Sequence, residues 1–245
     1  MITFRDTYDS RKKEIEDFLE LMEFLQDKES IREDGVSQFS RFFHEGEIKI
    51  GMTYQALINI LKSNVSLMIY NLIEYTVSNL VDSIYDEIRM NNLSYVDVNS
   101  SIKALWRKTI LKAANDPNAN FNTFLKKNEE IIASILANST IEMKSRNTLP
   151  AGNLDGKTIK ETFESHGIRV STSSANYRPD ILEGIKENRN NLAHGAVSFV
   201  EAVRSDSISD IRRNENFVVA FLEELIETVS VYIQEQKYKN SNIYF

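Results

Sequence analysis

The sequence predicts an all-α protein, a helical bundle with an inserted helical segment at about residues 91–150. Three observations point that way. Only 8 glycines and 3 prolines occur in 245 residues, so few positions interrupt a helix. Apolar residues recur at helical spacing over most of the chain, and turn-rich stretches separate those runs. With 42 % hydrophobic residues, the chain can bury a core as one large domain spanning residues 1–245.

The elements follow in chain order. Ile15, Phe18, Leu19, Met22 and Leu25 give a first amphipathic helix from about Phe4 to Glu33. The stretch from Gly35 to Met52 is less regular, and "EIKIG" within it reads as a short extended piece. Leu57, Leu61, Val65, Met68, Leu72, Val77, Leu80, Ile84 and Ile88 then keep the helical period long enough for a central bundle helix. Further helices are expected at Ser101–Ala114, Phe121–Asn138 and Gly156–His166. Connectors fall at Asn115–Asn120, Asn147–Gly156 and Ser171–Asp180, each rich in turn formers. Pro179 suits the first turn of the next helix, with Ile181, Ile185 and Leu192 inward and Gly195 ending it. A last helix, Asn216 to Lys239, carries Val218, Phe221, Leu222, Leu225, Ile226, Val229 and Ile233 on one broad face.

Composition narrows the function. The absence of cysteine removes disulfides, thiolate metal sites and cysteine nucleophiles, and with the charged N-terminal stretch it points to a cytoplasmic setting. The most apolar run, Val65–Val81, is interrupted by Asn71, Glu74, Ser78 and Asn79, so a buried helix is expected there and no membrane span. The net charge of −7 counts against nucleic-acid binding, yet the charge is uneven. Residues 1–34 hold six Lys/Arg against eleven Asp/Glu, whereas residues 101–146 hold eight against four. That basic stretch carries Trp106, Phe121 and Phe124, a combination that suits a single strand, but core aromatics beside a solvated lysine face are the expected arrangement.

The segment that bears chemistry is "ENRNNLAHG", Glu187–Gly195. An arginine and a histidine together suit RNA cleavage without a metal or cofactor. A neutral imidazole can take the proton of a ribose 2′-hydroxyl near neutral pH, and an arginine beside the phosphoryl oxygens stabilises the transition state. The products are a 2′,3′-cyclic phosphate and a 5′-hydroxyl. The spacing poses a problem, since five residues of ideal helix turn about 500°, leaving Arg189 and His194 roughly 140° apart. Either the helix ends near Ala193-His194-Gly195, or two copies of the motif meet across a dimer axis; the composite site is preferred because it also supplies a second histidine as the acid. A His-Gly pair at a helix end is also a common cap with no catalytic part. Neither His44 nor His166 has an arginine five residues upstream; those positions are Phe39 and Glu161.

"RNNLAHG" resembles the Arg-x4-His signature of the HEPN superfamily (higher eukaryotes and prokaryotes nucleotide-binding), with Arg189, Asn190 and His194 at its positions. "FRDTYDSRKKEIEDFLELM", "LKSNVSLMIYNLIEYTV", "LDGKTIKETFESHGI" and "LAHGAVSFVEAVRSDSISDI" extend the similarity to a bacterial branch of HEPN nucleases from defence and toxin-antitoxin settings. The resemblance implies an all-α HEPN-like bundle, a homodimer with its site at the interface, and metal-independent RNA endonuclease activity. It implies that Arg189 and His194 are catalytic, with Asn190 orienting them or touching phosphate. It also implies an RNA substrate, transfer or messenger RNA among others, and an antitoxin or regulatory partner protein. A tyrosine that some HEPN toxins carry two residues after the histidine is here Ala196, which puts control by its modification in doubt.

Other residues are candidates for support. Glu74 lies in an apolar helix, where a carboxylate either seeks a partner such as Arg189 or His194 or faces solvent. Lys62, Arg107 and Lys108 are candidate substrate-binding cations. The alternatives to a nuclease are a HEPN-type module that binds RNA, a nucleotide or a protein without catalysis, and a purely structural helical protein.

Overall fold

The computed structural model describes residues 2–28, 52–112, 120–150 and 152–240. Among them the fold is all-α: α1 (Ile2–Lys28), α2 (Tyr54–Met90), α3 (Ser100–Leu111), α4 (Phe121–Leu136), α5 (Ser145–Thr148), α6 (Gly156–Ser165), α7 (Pro179–Ala193) and α8 (Ile208–Gln234). The expected end of the first helix near Glu33, the extended "EIKIG" and most of the 115–120 connector lie outside the described residues. Contacts divide the chain into two compact units, Met1–Tyr75 with Arg178–Ala220, and Thr76–Tyr177 with Phe221–Phe245.

In the first unit, Tyr8, Ile15, Leu19 and Met22 of α1 are all buried, at intervals of seven, four and three residues that keep one helix face inward. Ile58, Val65, Ile69 and Leu72 of α2, Leu182 and Ile185 of α7, and Ile211 and Val218 of α8 complete that core. A forked ion pair ties α8 to α1: Arg212 donates Nε to Glu23 Oε1 at 2.6 Å and Nη2 to Oε2 at 3.1 Å. Arg11 lies over the Tyr75 ring at 4.3 Å, and Phe4 stacks on the same ring at 5.8 Å.

The second unit holds the whole 91–150 segment. Its helices begin on side-chain caps that satisfy orphan backbone N–H groups: Asn99 accepts from Ile102 N at 2.9 Å, Asn120 from Thr123 N at 2.9 Å, and Asp155 from Thr158 N at 2.8 Å. α3 packs against α4, α5 and α6. Trp106 is buried and meets Tyr95 at 5.5 Å between ring centroids. The expectation that the neighbouring aromatics are also core is corrected for α4. Phe121 is 71 % exposed and Phe124 43 %, their rings stacked at 6.3 Å, because only Ile131 of that helix is buried.

His166 is fully buried in this unit, just past the end of α6. Its Nδ1 lies 2.7 Å from the Thr162 carbonyl oxygen, which can only accept, so Nδ1 carries the proton. Nε2 is then the acceptor for the Tyr85 hydroxyl at 2.6 Å. Tyr232 donates to the His166 carbonyl at 2.8 Å, and burial pushes its phenol up to about 12.

The start of α8 and one short helix differ from expectation, and α8 ends at Gln234, short of Lys239. α8 starts at Ile208, well before Asn216, because Ser207 and Asp210 cap each other. Asp210 N donates to Ser207 Oγ at 3.0 Å while Ser207 N donates to Asp210 Oδ2 at 3.1 Å, the reciprocal pattern of a capping box with Asp in place of Glu. α5, a single turn that runs into the start of the connector expected at Asn147–Gly156, forms because Asp82 accepts from Ser145 N at 2.8 Å and Ser145 Oγ at 2.7 Å.

Candidate active site

The motif occupies the last turn of α7 and its stop. Pro179 opens the helix where its missing N–H costs nothing. The helix ends as a Schellman motif: Ala196 N donates to Asn191 O at 2.9 Å and Gly195 N to Leu192 O at 3.2 Å, with Gly195 at φ +67°. His194 is the cap residue, at φ −92° and ψ 0°, and its side chain is exposed. Helix termination therefore decides where the imidazole stands. Replacing Gly195 by alanine is expected to cost about 1 kcal/mol, since an added Cβ meets nothing within 4 Å and only the left-handed backbone is penalised. Denaturant titration of Gly195→Ala measures this cost.

Arg189 is half-buried and held on two sides. Its Nη1 donates to Asn190 Oδ1 at 3.1 Å, and its guanidinium lies 5.1 Å from the centre of the Tyr70 ring, which is fully buried in α2. A planar guanidinium on an aromatic face keeps its charge and its remaining N–H donors available for a phosphate. Asn190 thus orients the arginine from the adjacent position. Tyr70 is the residue that sequence reading missed. It lies in the quoted "LMIYNLIE", but nothing local distinguishes it from any core tyrosine, and its partner is remote in the chain.

The segment after the motif is tied to α2 by two buried polar side chains. Lys62 Nζ donates to the Asp206 carbonyl at 2.6 Å, and Ser63 Oγ to the Phe199 carbonyl at 2.6 Å. Lys62 is only 3 % exposed, and burial holds its ammonium below the usual lysine range against the pull of Asp206. Lys62, expected as a substrate-binding cation, is instead buried, and its Nζ bond to the Asp206 carbonyl positions the 199–206 turns. Glu74 is half-buried on α2, and among the described residues neither Arg189 nor His194 pairs with it. Arg107 and Lys108 are exposed on α3, in the other compact unit. Among the described residues, no group of three or more His, Asp or Glu side chains is placed to hold a metal ion.

A cleft of about 560 Å³ adjoins the motif in the first unit, between α7, α8 and α2. Asn188, the chain neighbour of Arg189, lines it, as do Gly184 and Ile185 one turn earlier.

The all-α fold is that of the HEPN domains, helical domains that serve as nucleases or nucleotide-binding modules. A family model described as HEPN_MAE_28990-like HEPN matches residues 3–238, and the chain belongs to that family. No curated protein and no solved structure matches it.

Proposed function

We propose that this chain is a metal-independent RNA endonuclease, a cytoplasmic toxin or defence effector, whose site is composed of Arg189 and His194 from two copies. The observation that carries this reading is the contrast between the two side chains. Arg189 is fixed by Asn190 and Tyr70, whereas the His194 ring projects from a helix end into solvent. An exposed imidazole is free to meet a second copy, and the two-fold arrangement supplies one base and one acid.

The reaction is an in-line transfer. One His194 takes the 2′-hydroxyl proton, and the 2′-oxygen attacks the adjacent phosphorus as the bond to the 5′-oxygen breaks. The second copy's His194 protonates that leaving oxygen, and Arg189 neutralises the charge gathering on the phosphoryl oxygens. Every proton and bond is accounted for by side chains alone. Transfer RNA, messenger RNA or phage transcripts would be the substrate, and a neighbouring antitoxin or regulatory protein would hold the activity in check.

The test is incubation of the purified protein with total bacterial RNA in excess EDTA, followed by end mapping. Fragments ending in 2′,3′-cyclic phosphate and 5′-hydroxyl are expected. Cleavage that stops with chelator, or 3′-hydroxyl ends, overturns the mechanism. Intact RNA bound by a folded dimer would favour a non-catalytic binding module.

A further inference from the structure

We infer that the cleft beside the motif is a base-binding subsite for single-stranded RNA, holding the nucleotide next to the scissile phosphate. The inference rests on the nuclease reading of Arg189 and His194 and extends it to how substrate is gripped. Its strongest support is Gly184. This glycine lies in the middle of α7, where glycine is among the poorest helix formers, and its φ is not positive. An added Cβ would meet nothing within 4 Å, so no neighbouring element requires its small size. Neither backbone geometry nor packing accounts for it. What the missing side chain does is leave the cleft open along the α7 wall.

The remaining lining suits a nucleobase. A volume of about 560 Å³ falls in the range of small-molecule pockets. Phe217 offers a half-buried ring with the Arg178 guanidinium 5.1 Å from its centroid, a stacking platform of the kind that holds unpaired bases. Arg178 is held in plane by Asp180, through Nε to Oδ1 at 3.0 Å and Nη2 to Oδ2 at 2.6 Å. Asn188 and Asn214 are half-buried at the cleft, and among the described residues neither side-chain amide has a hydrogen-bond partner. Two unspent amides carry the donors and acceptors that read a base edge. Arg213 stands exposed at the same cleft, beside Asp210 at 2.9 Å, where its charge can meet the backbone of the strand.

The test fills the cleft without touching the motif. In a His194→Ala background, which keeps RNA intact, a fluorescein-labelled single-stranded oligoribonucleotide is titrated against Gly184, Gly184→Ala and Gly184→Leu proteins. Binding is expected to weaken by about tenfold with leucine, the scale of one lost base stack, and much less with alanine. Both variants should melt no lower than the parent, because each improves the helix in open space. Equal affinity for the glycine and leucine proteins overturns the subsite. Failure of the nuclease reading is separable. A wild-type protein that binds the oligonucleotide and loses it with Gly184→Leu, yet never cuts it, keeps the subsite and removes the catalysis. A wild-type protein that cuts RNA with a KM unchanged by Gly184→Leu keeps the catalysis and removes the subsite, and a protein that binds no RNA removes both.

Discussion

His194→Ala is expected to lower the single-turnover rate of RNA cleavage by about 10²- to 10⁴-fold, the usual contribution of a positioned base. Arg189→Ala should cost about 10²- to 10³-fold, as loss of a charge-stabilising donor does. The double variant is expected to be little worse than the weaker single variant, because the two groups act in one step. Neither change should unfold the protein. The His194 side chain is exposed, so its loss falls within about 0.5 kcal/mol, and Arg189 forfeits about 1 kcal/mol of contact with Tyr70. Growth after induced expression gives the matching phenotype: wild type arrests the host and both variants do not. Arrest that survives in both variants removes the catalytic assignment.

The second large effect lies away from the motif. His166→Ala is expected to destabilise the unit that holds it by about 2 to 3 kcal/mol, because it opens a cavity and removes two buried hydrogen bonds, leaving the Thr162 carbonyl only Ser165 Oγ and the Tyr85 hydroxyl only Thr148 Oγ1. Burial also holds the His166 imidazole below its ordinary value, outweighing its backbone bond to Thr162. The sign follows from proton binding. An unfolded histidine takes up a proton below about pH 6.5 while the folded one resists, so the stability His166 confers is complete above that pH. It is lost as pH falls from 6.5 toward the lowered folded value, by up to about 1.4 kcal/mol per pH unit. Denaturant midpoints collected across that window should fall with acid in the wild type. A profile of the same slope in His166→Gln would show that other groups carry the acid sensitivity.

The helix interiors were legible because their apolar residues repeat at the helical period, as at Ile15, Leu19 and Met22. Chain ends of helices were less so. α8 begins earlier than its apolar face suggests because Ser207 and Asp210 form a cap whose acidic member is one methylene shorter than the usual Glu. Gly195 was readable as a helix stop, and with it the position of His194, since that motif is encoded within a few residues. What supports Arg189 was not readable, since Tyr70 reaches it from another helix. The same limit explains Lys62. In the sequence it is a cation among polar neighbours, and only the return of the 199–206 segment over α2 makes it buried. Phe121 and Phe124 erred the other way, because aromatic character alone does not say whether a neighbouring element covers a helix face.

The chain has one tryptophan, Trp106, packed against Tyr95 in the unit that also contains His166. Its emission is therefore a selective optical reporter. A red shift records the opening of that unit alone, while far-ultraviolet dichroism records helices in both. The motif-bearing unit contains no indole among its residues, so its loosening is silent in tryptophan fluorescence and shows only in ellipticity. Recording both signals in one titration turns an accident of composition into a measure of whether the two units melt together or in sequence.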